Sequence, residues 1–327
     1  MKNKKLRNTL LCALAVPTVF MMTGCKDKTE PISMNEYVNL VYEAGTNYYK
    51  DHSDYKTFKD MSVSSERSTT TLAKQTVSYK ATAEASDYSE KQVTITTTET
   101  GTQVVDINKD ETENGDISIK VTQTSVSTEK GERANTTTEL LESYEETTTS
   151  TAVYTFVKVG EEYKLFKHSK YTTKATGQDD STGEQKQVKT FANQEAFKYA
   201  IESVLEEVDD DLVDQLLSAG GEMTYMSPET YKGKDSFGMT FTYSSAEGYN
   251  GAMSKMDVES KAEFRNNLPY AVRMSADMES SSTSSESEQS FVITYSSPAI
   301  AAPSDSADYT ANEGIDYNDI IQGPSFG

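Results

Sequence analysis

Residues 153–166 read VYTFVKVGEEYKLF. β-Branched and aromatic residues precede Gly160, and apolar positions return after it at Tyr163, Leu165 and Phe166. Two such runs joined by a short segment that contains glycine predict a β-hairpin, because glycine readily adopts the backbone conformation of a tight turn. The stretch therefore predicts two antiparallel strands, and it sets the pattern for most of the chain.

Apolar and polar residues also alternate on both sides of this hairpin. The apolar positions include Val93 and Ile95, Val105 and Ile107, Ile117, Ile119 and Val121, Phe237 and Met239, and Phe291 and Ile293. The pairs Asn114-Gly115 and Asn266-Asn267 stand between such runs and predict turns. One apolar face and one Thr, Ser, Lys and Glu face per strand predict an antiparallel sheet with one side open to water.

Two segments have the helical period instead. Ser33 to Tyr49 begins with a capping box formed by Ser33 and Glu36. Asn193 to Ala219 carries a long apolar stripe and is closed by two glycines. We expect the Thr/Ser-rich stretch 133–150 to be an inserted hairpin and Ser280 to Ser290 to be a long hairpin loop. The order of elements predicts an α+β fold.

The N-terminus has the order of a secretory signal rather than of a membrane span. A cationic head and a short apolar run are followed by a small residue and a cysteine: Lys2, Lys4, Lys5 and Arg7, then Leu10 to Met22, then Gly24-Cys25. The end of the run resembles the lipobox of bacterial lipoproteins, in which the cysteine becomes the lipidated N-terminus. The alternative is an ordinary signal peptide with a chance cysteine. The resemblance implies an acyl anchor, such as palmitate, on Cys25.

The cleavage site divides the chain. We expect a signal peptide at residues 1–24, a tether at 25–32, a single domain at 33–303 and a disordered acidic tail at 304–327. Cys12 lies in the signal, so the mature chain keeps Cys25 alone and has neither a disulfide nor a cysteine-based enzyme or metal site.

The charge excludes one class of partner. The formal net charge is −21 for 327 residues, and removal of the cationic signal makes the mature chain more negative still. Such a chain is repelled by phosphate backbones, so we expect no nucleic-acid partner.

The C-terminal strands carry a resemblance to a known family. In Lys255 to Pro303, a strand is followed by Asn267-Leu268-Pro269-Tyr270 and a second strand, and the last strand, Phe291-Val292-Ile293-Thr294-Tyr295, precedes prolines. This pattern resembles the LolA/LolB and LppX-like lipoprotein carriers and related uncharacterised Gram-positive lipoproteins. The resemblance implies a strongly curved antiparallel β-sheet, a half-barrel, covered by helices on its concave side. It also implies a cell-membrane location on the outer face of a Gram-positive cell.

A cavity of that kind can hold an acyl chain or another hydrophobic molecule. The residues expected to line it are Phe197, Ile201, Leu205, Phe237, Met239, Phe241, Met256, Val272 and Met274. The alternative is that these side chains pack together as a dry core, since apolar stripes are core more often than pockets.

The sequence offers little for catalysis or for metals. The only histidines, His52 and His168, have no neighbouring ligand at zinc or triad spacing. Asp106-x-Asn108-x-Asp110 begins like a calcium loop, but Glu111 occupies the glycine position. Paired carboxylates of the glycosidase type need no local motif and stay open. We expect no catalytic residue, no metal and no cofactor.

The leading hypothesis is therefore a non-enzymatic, lipid-anchored binding or carrier lipoprotein with a hydrophobic ligand. The alternative is a structural or protein-interaction lipoprotein of the cell envelope with a closed core and no small ligand.

Overall fold

The computed structural model describes residues 29–48, 60–109, 117–205, 227–245 and 255–315. Within these ranges the chain forms one 13-stranded sheet. The strands are β1 (Glu30–Pro31), β2 (Met61–Lys80), β3 (Tyr88–Lys109), β4 (Ile117–Ala134), β5 (Leu141–Val159), β6 (Glu162–Ala175), β7 (Ser181–Phe191), β8 (Ser227–Lys232), β9 (Ser236–Ser245), β10 (Lys255–Arg265), β11 (Leu268–Glu279), β12 (Thr283–Thr294) and β13 (Thr310–Ala311).

The strand order across the sheet is β1-β8-β9-β10-β11-β12-β2-β3-β4-β5-β6-β7-β13. Two runs of consecutive hairpins, β8 to β12 and β2 to β7, are joined where β12 pairs with β2. All pairings are antiparallel except that of β13 with β7. The two-residue strands β1 and β13 lie at the edges of the sheet.

Two helices lie on one face of this sheet, which we call the inner face. Helix α1 (Met34–Tyr48) packs over β8, β9 and β11, and helix α2 (Gln194–Leu205) packs over β6 and β7. The register connects Met239 beneath α1, through Ala262, Val272 and Phe291, to the strands beneath α2, so both helices share the inner face.

Each helix closes its own apolar cluster. Beneath α2, Phe197 and Ile201 pack with Ile119, Phe156 and Leu165, and each of these five is at most 2% exposed. At α1, the buried cluster consists of Tyr37, Val41 and Ala44 from the helix and Phe237, Met239 and Phe264 from the strands beneath it. The rings of Phe237 and Phe264 stack with their centroids 4.5 Å apart. The apolar core is therefore divided between two helix-covered regions.

The predicted α+β class is wrong, because the fold is dominated by strands. The helices have 15 and 12 residues, whereas β3 alone has 22. At about 3.4 Å per residue, β3 is about 75 Å long. At about 1.5 Å per residue, α2 is only about 18 Å long. The described helices therefore lie over part of the inner face and do not cover it.

The hairpin predicted at 133–150 is present, whereas the long loop predicted at Ser280 to Ser290 is wrong. Most of the stretch 133–150 belongs to β4 and β5, joined by a turn, and most of Ser280 to Ser290 belongs to β12. Hydroxyl pairs bridge adjacent strands here, as between Thr128 and Thr147 at 3.0 Å and between Thr71 and Ser285 at 3.3 Å. Such cross-strand pairs stabilise strands that carry few apolar residues.

The predicted turns and caps within the described ranges are confirmed. Gly160 has a φ of 63° between β5 and β6, and Asn266 and Asn267 have φ of 51° and 57° between β10 and β11. The backbone N–H of Glu36 donates to Ser33 Oγ over 3.2 Å at the start of α1. Asn114-Gly115 and the helix predicted beyond Leu205 lie outside the described residues.

The C-terminal segment returns across the outer face of the sheet. It forms a 3₁₀-helix at Ser306–Asp308, then β13, and Ile315 is buried. Tyr309 meets Phe166 edge-on with ring centroids 5.3 Å apart. Disorder was predicted for 304–327, so the structure differs at 304–315, while 316–327 lie outside the described residues.

Gly238 lies where two neighbouring strands, β9 and β10, approach each other closely beneath α1. A Cβ atom at this position overlaps the carbonyl oxygen of Ala262 on the neighbouring strand. We expect Gly238→Ala to lower the free energy of unfolding by about 1–3 kcal/mol, because the backbone must shift. Urea unfolding measures this change. Gly314→Ala is the control, since its Cβ meets nothing closer than 3.4 Å; equal stability of the two variants would contradict the close approach.

Candidate binding groove

Three neighbouring rows of inner-face residues cross strands β4 to β7, beginning at the margin of the cluster that α2 covers. In register, the rows are Val121, Tyr154, Lys167 and Gln187; Gln123, Ala152, Ser169 and Gln185; and Ser125, Ser150, Tyr171 and Gly183. Paired residues of an antiparallel sheet point to the same face, so the strand pairing alone places these side chains together.

The sizes of these side chains produce a depression. Ser125, Ser150, Ala152 and Ser169 are short and line its middle, whereas Tyr154 and Tyr171 line it on either side. The depression, which we call the inner groove, has a volume of about 530 Å³. This volume lies within the range of small-molecule sites, about 300–1,000 Å³.

Gln123 is the most unusual residue of the inner groove. Its side chain lines the groove but is only 8% exposed, and its Nε2 atom has no hydrogen-bond partner. Nearby, the hydroxyls of Ser125 and Ser150 hydrogen-bond to each other over 2.6 Å. A buried amide donor without a partner is unfavourable, and a ligand that supplies an acceptor removes that cost.

Tyr171 forms the wall of the groove near the sheet edge. Its ring lies across Gly183 of β7 at a position where a Cβ atom would overlap the ring. Gly183 therefore permits the ring to rest against the backbone of the adjacent strand. The side chain is nevertheless 48% exposed, so the ring offers a partly open apolar surface to a ligand.

Lys167 is the charged residue of the three inner-face rows. Lys167 Nζ lies 5.2 Å from the centroid of the Tyr154 ring. On the opposite, outer face of β6 and β7, Glu184 accepts a hydrogen bond from His168 over 2.7 Å and lies 3.0 Å from Lys170 Nζ. These two partners, His168 first, hold the pKa of the Glu184 carboxyl below its ordinary value. The stability that this pKa shift contributes is present above the ordinary carboxyl pKa and is lost as the pH falls through the lowered value.

We expect the Glu184 carboxyl to titrate below the pH of a free glutamate, because His168 donates to its charged form. His168→Asn should raise that pKa toward the ordinary value. A ¹³C NMR pH titration of the glutamate carboxyls measures both. Lys164→Gln is the control, since Lys164 pairs with Glu162 instead. An unchanged Glu184 titration in His168→Asn would show that the hydrogen bond is not formed.

The structure separates the residues predicted to line a hydrophobic cavity. Phe197 and Ile201 are buried in the cluster beneath α2, and Phe237 and Met239 in the cluster beneath α1. Val272 and Met274 are half-buried on the inner face at the centre of the sheet. The side chains of Leu205, Phe241 and Met256, and the whole of Cys25, lie outside the described part. Their ligand and lipid roles stay predictions.

Sequence reasoning missed the inner groove because its residues are small and polar. The signal that was available lies in β4, where the alternating series Ile117, Ile119 and Val121 continues at the same parity into Gln123 and Ser125. A strand that changes from apolar to polar on its buried face is unusual and indicates a wetter region. The hairpin at Gly160 indicates which residues of β6 stand opposite β5, but nothing in the sequence alone indicates which residues of β7 stand opposite β6.

Other chemistry is sparse in the described ranges. No group of three or more His, Cys, Asp or Glu residues among them could hold a metal ion. No helix in these ranges has the length and apolar character needed to cross a membrane. His168 has a carboxylate partner in Glu184, and His52 lies outside the described residues.

Comparisons with known proteins give no family. No protein-family model matches the sequence, and no curated protein matches it either. The transport unit of the autotransporter AIDA-I from Escherichia coli is 10% identical, covers 80% of this chain and 98% of its own, and has a TM-score of 0.25. A β-barrel-like protein of the domain of unknown function DUF1849 from Brucella abortus is 10% identical, with 71% and 98% coverage and a TM-score of 0.14. At these scores neither likeness supports a conclusion about this chain.

The unpartnered amide has a measurable cost. We expect Gln123→Met to raise the free energy of unfolding by about 1–3 kcal/mol, because a side chain of similar size then replaces an unsatisfied buried donor. Chemical denaturation without ligand measures this change. Gln92→Met is the control, since Gln92 is exposed on β3. A loss of stability in Gln123→Met, with the control unchanged, would mean that the amide already has a partner.

Proposed function

We propose that this chain is a non-enzymatic, extracytoplasmic binding lipoprotein that is anchored through Cys25 and holds its ligand in the inner groove. The observation that carries the proposal is the buried Gln123 amide, which lines an open groove and lacks a hydrogen-bond partner. A protein with a purely structural role gains nothing from such a group, because an apolar residue of the same size is more stable there.

An acyl chain or lipid is the ligand class implied by the resemblance to the LolA/LolB and LppX-like carriers. Its support is the apolar inner face beneath the helices. However, Phe156 and Phe197 fill the region beneath α2, with ring centroids 6.2 Å apart and almost no exposed surface. An acyl chain has to displace α2 to enter, whereas the inner groove already has room for a ligand. The geometry therefore favours the groove.

The groove is also supported by a rigid frame. Its rows lie within β4 to β7; β4, β5 and β6 are paired on both sides, and β7 is paired with β6 and, at Gln187 and Val188, with β13. The apolar cluster beneath α2 borders its first row through Tyr154 and Val121. Binding residues that are set on strands and held by a packed core keep their geometry without a ligand, which lowers the entropy cost of binding.

The proposal predicts that a ligand copurifies with the protein. A secreted Cys25→Ser form, taken from its native envelope, should release a bound molecule in near-stoichiometric amount when denatured. Mass spectrometry of both organic and aqueous extracts identifies its class. Ser150→Arg should abolish the release, because a long side chain then occupies the middle of the groove. Ser78→Arg is the matched control, since Ser78 is exposed on β2.

The outcomes are distinct. A molecule lost only in Ser150→Arg supports the groove as the site. A lipid that is retained in Ser150→Arg instead supports the carrier hypothesis with a site beneath the helices. Clean extracts from every form, also after incubation with envelope material, would leave the alternative, an envelope interaction protein with a closed core.

The anchor is tested separately. Cells that express the unaltered chain should incorporate labelled palmitate into it and keep it in the membrane fraction, because an acylated cysteine anchors the mature protein. Cys25→Ser should carry no label and appear in the medium. Cys12→Ser is the control, since it changes a residue of the removed signal. Palmitate that persists in Cys25→Ser would contradict lipidation at this position.

A further inference from the structure

We infer that the inner groove binds a neutral, hydroxyl-rich pyranose ring, as found in oligosaccharides and in cell-wall glycans. This inference rests on the proposed function and names the chemical class of its ligand. It is carried by three features that occur together: a hydroxyl- and amide-lined floor, a partly exposed tyrosine ring, and a groove that reaches the edge of the sheet.

The lining matches a ligand that both donates and accepts hydrogen bonds. Serine hydroxyls do both, and a glutamine amide has two donors and an acceptor oxygen. The groove offers Ser125, Ser150 and Ser169 together with Gln123 and Gln185. Sugar hydroxyls have the same double capacity, so each can meet the unpartnered Gln123 Nε2 as an acceptor while donating to a serine. An acyl chain leaves the Gln123 amide donor without a partner.

The aromatic wall fits the other surface of a sugar. A pyranose ring presents C–H groups on its faces, and these pack against aromatic rings. The Tyr171 ring lies over Gly183, lines the groove and is 48% exposed, so part of its surface is open to a ligand. Ala152 adds a small apolar contact on the floor.

Charge argues against an anionic ligand. The cation Lys167 lines the groove, and its Nζ lies 5.2 Å from the centroid of the Tyr154 ring; Lys170 and Glu184 pair with each other at 3.0 Å on the outer face. The whole chain has a formal net charge of −21, which repels phosphorylated or otherwise acidic ligands at long range. A neutral ligand does not meet this long-range repulsion, and sugars are neutral polar molecules whose surfaces combine dense hydroxyls with C–H faces.

The groove extends toward an open margin of the described sheet. Gly183 and Gln185 of β7 line it, whereas β13 pairs with β7 only at Gln187 and Val188. Within the described part of the chain, a saccharide longer than one ring can therefore continue past β7 without meeting a paired strand. This arrangement suits an internal unit of a polymer as well as a free oligosaccharide.

The test uses the secreted Cys25→Ser form and four probes. Two are soluble tetrasaccharides, one of glucose and one of N-acetylglucosamine; the third is purified insoluble cell wall, and the fourth is dodecanoate. Calorimetry measures the soluble probes and cosedimentation measures the wall. We expect binding to at least one saccharide probe. Gln123→Met and Tyr171→Ala should each weaken the binding of that saccharide by about tenfold or more, because each removes a central contact.

Matched controls separate binding from folding. Gln92→Met and Tyr199→Ala should bind as the parent does, since Gln92 is exposed on β3 and Tyr199 is 62% exposed on α2. Gln123→Met removes an unsatisfied group and should be at least as stable as the parent. If this variant loses binding, the loss comes from the missing amide and not from unfolding. Binding of a tetrasaccharide would show that a free oligosaccharide is a sufficient ligand. Binding of the insoluble cell wall alone would show that the ligand is the polymer.

Other results overturn the inference in distinguishable ways. Dodecanoate that binds while every saccharide fails would refute a sugar ligand but leave the proposed function standing. Saccharide binding that survives both Gln123→Met and Tyr171→Ala would place the sugar site elsewhere. Failure of all four probes, together with clean extracts in mass spectrometry, would remove the inference and the proposed function together.

Discussion

The two-residue side-chain period of the antiparallel ladder is the constraint on which the rest of this structure depends. In strands as long as β3 and β4, a slip of one residue exchanges every inner side chain for an outer one. The register is held at several points: the tight turn at Gly160, the hydroxyl pairs between strands, and the apolar cluster beneath α2. Because this register is maintained from the cluster to the far ends of the strands, the rows of the inner groove are aligned.

The inner face changes character along these strands. Near α2 it is apolar, with Phe156 and Leu165 fully buried. A few residues further along β4 and β5, the same parity carries Gln123 and Ser150. The apolar part supplies the free energy of folding, since burial of hydrocarbon is the main favourable contribution. In the polar part, the unpartnered Gln123 amide lowers the free energy of unfolding. An unfavourable group that is retained on a stable frame is typical of a binding site.

Each of the two described helices covers a small area of the inner face, and together they do not form a continuous layer. Each shields one apolar cluster from water: α1 beside β8 to β11, and α2 beside β4 to β7. The region between and beyond them consists of strands rich in Thr and Ser, some of which hydrogen-bond across the sheet, as Thr148 and Thr173 do at 3.0 Å. This division explains how a chain with 35% hydrophobic residues forms so large a sheet. It also explains why an open groove is found outside the helix-covered regions.

The sequence by itself determined the strands that alternate cleanly, the turn at Gly160, the turn at Asn266-Asn267 and the N-terminal cap of α1, because each depends on neighbours within a few residues. It also carries the whole case for Cys25. It misassigned Ser280 to Ser290 to a loop, since a run rich in serine is compatible with a solvated loop until a partner strand stands beside it. The separation of the predicted cavity residues into two clusters, and the alignment of Gln123, Ser150 and Tyr171, were decided only by the tertiary structure. These residues lie far apart along the chain, and only the pairing of β4, β5, β6 and β7 in one register brings their side chains to the same face.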